Sequence, residues 1–217
     1  MTLSEENYLK TIYHLTSATN AEVSTNAIAE KMETKASSVT DMLKKLSEKD
    51  WVNYKKYQGV SLTENGQLAA KMIVRKHRLW EVFLTKVLKF GWDEVHDIAE
   101  QLEHIKSEQL INKLDNFLGN PTKDPHGDPI PDRNGKIIAI EKVLLSEVLP
   151  NQKCKCVGVK DSSTAFLKYL DNNRIALGTS IKMLSEEEFD LSLKIEIDDV
   201  AMVISHKIAS NLYVKLI

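Results

Sequence analysis

The sequence predicts a mainly helical chain that ends in a small, mainly β domain, and three observations carry that reading. Apolar residues recur at helical spacing through most of positions 5–118. Four of the five prolines and three of the eight glycines then fall within residues 119–135, where regular helix or central strand cannot continue. Beyond that loop, short alternating segments replace the helical period. With 217 residues, the chain can build two or three small cores.

A first helix is expected over residues 5–15, with Tyr8, Leu9, Ile12, Tyr13 and Leu15 apolar and Ser4 as its N-cap. Ser24 caps a second, whose Ile28, Ala29 and Met32 face inward, and residues 34–36 make a short turn. A third runs from about 36 to 48 and buries Val39, Met42, Leu43 and Leu46. Two short helices joined by a tight turn form a helix-turn-helix. Alternation on both sides of the Lys-Tyr-Gln-Gly turn in residues 51–63 adds a two-stranded wing. Opposite the buried stripe, the third helix carries Lys35, Ser37, Ser38, Thr40, Asp41, Lys44 and Lys45, and the wing carries Lys55, Lys56 and Tyr57. Small hydroxyls let a helix approach a groove closely, and lysines pair with phosphates, so this face suits double-stranded DNA.

From Thr63 a long helix is expected to run to about Phe90, and another to span residues 93–118. Their wide apolar stripes exceed what a small winged domain can cover, which predicts a homodimer. Such dimers read inverted-repeat half-sites about 34 Å apart or a multiple of it. His77 and Glu81 lie four apart on the first of these helices, and His96, Glu100, Glu103 and His104 recur at helical spacing on the second. Each helix thus offers a row of nitrogen and oxygen donors beside a DNA reader. The loop at 119–135 adds Asp124 and His126. After it, residues 153–159 alternate like a strand, 162–170 suit a short helix, and 180–204 hold further short strands. Cys154 and Cys156 share one face of the predicted strand and read as packing residues.

The formal charge of −2 is unusual for a DNA reader. Two divalent ions per subunit would add roughly four positive charges and favour approach to phosphate. No apolar run reaches the roughly 20 residues of a spanning helix, and residues 1–7 lack a leader pattern, so no membrane role and a cytoplasmic location are expected. A metal-dependent hydrolase would need a base or nucleophile at an open metal position. The chain has no His-Glu-x-x-His helix, Gly-rich phosphate loop or nucleophile elbow, so it is not expected to be an enzyme. The alternative regulator is a metal-independent winged-helix protein whose histidine clusters are surface decoration.

Several segments together resemble the iron- and manganese-dependent repressors related to the diphtheria toxin repressor. They are Glu-Asn-Tyr-Leu-Lys-Thr-Ile-Tyr at 6–13, Ser-Ser-Val-Thr at 37–40, Arg-Lys-His-Arg-Leu at 75–79, Val-His-Asp at 95–97, Glu-His at 103–104 and Asp-Pro-His-Gly-Asp-Pro-Ile-Pro at 124–131. The resemblance covers nearly the whole chain. It implies a winged helix-turn-helix domain at 1–73, a helical metal-binding and dimerisation domain with its crossing loop at 74–140, and an SH3-like, FeoA-like barrel at 141–217.

By the same resemblance, the principal metal site uses His77, Glu100, Glu103 and His104, with Asn7 from the first helix. Manganese members have an aspartate where Asn7 stands and iron members a methionine. An amide oxygen is neutral and donates more weakly, so either the site is less charged or Asn7 is not a ligand. Glu100 takes the place of a cysteine in the iron regulators, which favours hard ions, Mn(II) first and Fe(II) second. A second site resembles that of full-length manganese regulators and comprises Glu81, Asp124, His126 and Asp161. His96 matches an ancillary ligand of the iron branch alone, whose two barrel partners are replaced by Ser162 and Ala165. The family expectation is repression of metal-homeostasis genes.

Overall fold

A computed structural model of the chain describes residues 1–19, 21–55, 58–138 and 141–217. The first helix, α1 (Leu3–Thr19), begins earlier than its apolar pattern suggested. Ser4 lies inside it, and Thr2 does the capping: its hydroxyl accepts from Glu5 N at 3.3 Å, while Glu5 Oε2 accepts from Thr2 N at 2.9 Å. This reciprocal pair satisfies two donors at the helix start. α2 (Thr25–Lys31) is capped by Ser24, which accepts from Ala27 N at 3.1 Å. α3 (Ala36–Glu48) buries Val39, Leu43 and Leu46 and leaves the opposite face in water. Asp50 then adopts φ 57°, and Trp51 N returns to Leu46 O at 3.0 Å, so the chain leaves α3 through a left-handed turn.

The wing is an antiparallel pair, β1 (Val52–Tyr54) and β2 (Val60–Leu62), with Asn53 opposite Ser61. Tyr8, Leu9, Ile12, Ile28, Val39, Leu43, Leu46, Val52 and Val60 form one core with Ala70 and Ile73. The last two belong to α4 (Glu64–Lys86), which Thr63 caps through Gly66 N at 3.0 Å. At 1.5 Å rise per residue, α4 is about 35 Å long. Its second half enters a different core with Leu79, Trp80, Val82 and Leu84, so one helix threads two apolar clusters.

The expected helix over 93–118 is two helices, α5 (His96–Leu102) and α6 (Glu108–Phe117). The apolar period runs across the break, but Ser107 accepts from Leu110 N at 3.2 Å and starts a new helix. The turn leaves Glu103 and His104 at the C-terminal end of α5 rather than midway along a helix. Residues 119–135 contain no helix or strand, as their prolines require, and hold one isolated bridge between Lys123 and Pro129.

The C-terminal domain is a six-stranded antiparallel sheet in the order β3-β8-β4-β5-β6-β7. Its strands are β3 (Val143–Leu144), β4 (Lys153–Val159), β5 (Ser180–Glu186), β6 (Leu193–Ile197), β7 (Val200–Ile204) and β8 (Leu212–Leu216). Helices α7 (Thr164–Asn172) and α8 (His206–Ala209) complete it. Cys154 and Cys156 lie on one face of β4, free and buried in the core with Leu167, Leu170 and Val214. No helix among the described residues is long and apolar enough to cross a membrane.

Candidate metal centre and nucleic-acid interface

Along its buried face α4 also carries three ionisable side chains, Arg75 and His77 between the two apolar clusters and Glu81 within the second. A buried charge is tolerated only with partners, and each of these has them. Arg75 donates to Asp115 Oδ2 of α6 at 2.6 Å and to Pro131 O of the crossing loop at 2.7 Å. His77 lies between two carboxylates, with Nδ1 2.6 Å from Glu103 Oε2 and Nε2 3.0 Å from Glu81 Oε1. Burial lowers its pKa, but Glu103 and Glu81 override that and raise it to about 9.

Glu81 continues the network into the loop, with His96 Nδ1 at 3.6 Å and His126 Nδ1 at 3.6 Å on its two oxygens. Burial pushes its carboxyl upward, yet the imidazoles of His126, His77 and His96 together hold it well below the usual carboxylate range. Asp124 is shifted the other way by its own burial and then by the nearby Glu81 and Asp128 charges, against the Arg78 guanidinium at 3.3 Å. His126 is fixed by a 2.8 Å contact of Nε2 with Trp92 O and by stacking on the Trp92 ring.

At the far end of α5 the network reaches the DNA-binding domain. His104 Nδ1 is 2.6 Å from Glu6 Oε2, and Lys10 Nζ donates to Glu100 Oε1 at 2.5 Å and to both Glu103 oxygens at 2.7 and 2.8 Å. Asn7 stands on the same helix between those two residues, and its buried Oδ1 has no hydrogen-bond partner among the described residues. Burial raises the Glu100 pKa, and the Lys10 contact outweighs it and draws it down.

Among the described residues, two trios bring one donor atom each within 4.8 Å of one another: His77, His96 and Glu100, and Glu81, Asp124 and His126. The second trio contains three of the four residues expected for the second site. Asp161 is outside it, and its Oδ1 accepts from Ser163 N at 2.8 Å at the start of α7. His96, expected only as an ancillary ligand, faces both Glu81 and Glu100. The donors are imidazole nitrogens, carboxylate oxygens and the free Asn7 amide oxygen, with no sulfur among them, a set that fits Mn(II) or Fe(II).

Sequence reasoning missed Lys10, Glu6 and Arg78. Glu6 and Lys10 are four apart and flank Asn7, so the helical spacing was present. Attention to ligand types passes over the Lys10 ammonium and the Arg78 guanidinium, whereas Glu6, a carboxylate beside Asn7, was within its reach.

On α3, Lys35, Ser37, Ser38, Asp41, Lys44 and Lys45 are exposed along one side. Lys44 pairs with Asp41 at 3.2 Å, a contact that water can replace. Thr40 is half-buried and donates its hydroxyl to Ala36 O at 3.0 Å. Lys55 is exposed at the end of β1, whereas Lys56 and Tyr57 lie outside the described residues.

Residues 1–60 match the family model for the iron dependent repressor N-terminal DNA binding domain, and residues 63–132 that for the iron dependent repressor metal binding and dimerisation domain. Residues 143–216 match the FeoA domain, which is SH3-like. The iron-dependent repressor IdeR of Mycobacterium tuberculosis is 34% identical over 126 residues, 58% of this chain and 54% of IdeR, so that match spans about half of the relative. A helix-turn-helix type transcriptional regulator of Methanocaldococcus jannaschii is 36% identical over 118 residues, 54% of this chain and 94% of that protein. Among solved structures, a manganese-dependent transcriptional repressor in complex with manganese superimposes with a TM-score of 0.88 at 32% identity, covering 98% of this chain and all of the other. The manganese regulator SloR gives 0.76 at 34% identity, with both chains covered in full. The chain therefore belongs to the iron-dependent repressor family, whose members are metal-dependent, DNA-binding transcription regulators and not enzymes.

Proposed function

We propose that this chain is a homodimeric, cytoplasmic repressor of metal-homeostasis genes whose hold on inverted-repeat operator DNA is gated by a divalent ion, Mn(II) first and Fe(II) second. The observation that carries this reading is the convergence of α1, α4 and α5 on one cluster of histidines and carboxylates. Asn7, His77, Glu100, Glu103 and His104 would hold the principal ion. Glu81, Asp124 and His126, with Asp161 brought in from the barrel, would hold the second. Bound there, the ions supply positive charge to a carboxylate-rich cluster and nothing redox is required of them.

The chain's own residues do the rest. Asn7 belongs to the DNA-binding domain, while Glu103 and His104 belong to the helices that would carry the partner subunit, so common ligation fixes one relative to the other. That restricts the angle between the two recognition helices of a dimer to one that spans both half-sites. Val87, Leu88 and Phe90 after α4 and Leu110 and Phe117 on α6 are exposed apolar side chains that a second copy would cover. On α3, Lys35, Ser37 and Asp41 would approach base edges, and Ser38, Thr40, Lys44 and Lys45 the phosphates, with Lys55, Lys56 and Tyr57 on the flanking backbone.

Titrating the protein with Mn(II), Fe(II) and Zn(II) while following fluorescence anisotropy of inverted-repeat DNA tests this. A ligand shifts a population only by its differential affinity, so the expected gain in operator affinity is about 5- to 150-fold. Glu103→Ala should abolish the gain. Superimposable curves with and without metal would reject metal gating and leave the metal-independent winged-helix regulator.

A further inference from the structure

The position of Lys10 goes beyond the family's ligand set. Its side chain is nearly buried, and its three N–H bonds have three acceptors, Glu100 Oε1 and both oxygens of the fully buried Glu103. That is the full donor capacity of an ammonium group. Both Glu103 oxygens lie within 2.8 Å of one nitrogen, so the ammonium fills the chelating position of that carboxylate. An ion bound through the same two oxygens would occupy the same space.

We propose that Lys10 is a built-in competitor for the principal metal site, an ammonium counter-ion that must give up Glu103 before a divalent cation can bind. The inference rests on the reading that Glu103 is a metal ligand. A single positive charge leaves the Glu100–Glu103 pair with a net charge of about −1, whereas a divalent ion balances both carboxylates, so exchange runs in favour of the stronger charge. Glu100 is partly open to solvent and Lys10 has a flexible four-carbon stem, so the ammonium has a route out. Lys10 and Asn7 are three apart on one helix, so the exchange replaces one tie between α1 and α5 by another. The lysine raises the metal concentration needed for loading, and it spares Glu103 from being a buried charge faced by the imidazoles of His77 and His104 without an ammonium.

Mn(II) affinity is measured for wild type, Lys10→Met, Lys10→Gln, Lys10→Arg and Glu103→Ala by competition with a fluorescent chelator, with free Mn(II) followed by electron paramagnetic resonance. Thermal denaturation of each metal-free protein runs in parallel. Lys10→Met and Lys10→Gln should bind Mn(II) tenfold or more tightly than wild type while melting at lower temperature without metal, and Lys10→Arg should stay near wild type in both. The glutamine variant retains a neutral donor and keeps the test open if the methionine variant does not fold. If wild type binds, Glu103→Ala does not, and the Lys10 variants bind equally or more weakly, the competitor role is overturned with the site intact. If wild type and Glu103→Ala bind alike, the ligand assignment falls, and the competitor role with it.

Discussion

Gly127→Ala is expected to destabilise the protein by about 2–5 kcal/mol, far more than the same change at Gly119, although both glycines have positive φ. Gly127 has φ 91°, and a Cβ there would stand 2.2 Å from Val157 O and 2.5 Å from Gly158 Cα. These are backbone atoms of β4, at the register shift between Cys156 and Gly158, and cannot swing aside as a side chain would. Next to this contact Val159 N donates to His126 O at 2.9 Å, so the glycine is where the barrel meets the crossing loop. Gly119 has φ 79° and nothing within 4 Å of the added carbon. It should therefore show only the conformational strain, about 1–2 kcal/mol.

Urea denaturation of the two variants separates strain from steric exclusion, and limited proteolysis locates the effect. The Gly127 variant should be cut faster within residues 119–135 because the barrel no longer rests on the loop. Equal stability of the two variants would mean that the approach of loop and strand contributes nothing. The contact also bears on the metal cluster. Gly127 follows His126, whose ring stacks on Trp92, and Trp92 Nε1 in turn donates to Asp171 of α7 at 3.0 Å.

Such contacts mark where sequence reading stops. α3 and β4 were legible because a strict period and one buried face define each, and the structure places both at the expected residues. The break between α5 and α6 was not, because apolar spacing continues through residues that turn for local hydrogen-bonding reasons at Ser107. Leu110, on the second of the two helices, is 41% exposed. The short edge strand β3 and the final strand β8 also escaped, since two to five residues carry little periodicity. In the candidate site, the donor residues were readable by type and spacing. Their neutralisation was not, because Lys10 meets Glu103 across 93 positions of sequence and Arg78 meets Asp124 through a loop. Asp161, set apart from its expected partners, instead accepts from the backbone N of Ser163, the residue that caps α7.

Removing either member of the Arg75–Asp115 pair should cost about 3–5 kcal/mol, the scale for breaking a buried ion pair, with the half-exposed Arg133 Nε at 3.8 Å as the remaining cation beside Asp115. Both side chains are about 5% exposed, and the guanidinium is held at 2.6 Å to the carboxylate and 2.7 Å to Pro131 O. The salt bridge itself is not the source of that stability, because desolvating two charges offsets most of their attraction. Arg75→Met with Asp115→Leu should accordingly recover most of the loss of either single variant, and a double-mutant cycle in urea reads the difference as a coupling energy. Additive losses would instead mean that the two side chains act independently, through packing or through Pro131. The pair fastens α6 and the crossing loop to the middle of α4, two residues before His77. Its removal should lower stability in the metal-free protein while leaving the spacing of His77, Glu100 and Glu103 to α5. Mn(II) affinity of the folded single variants should then change by less than the loss of stability, which separates what holds the centre's frame from what binds the ion.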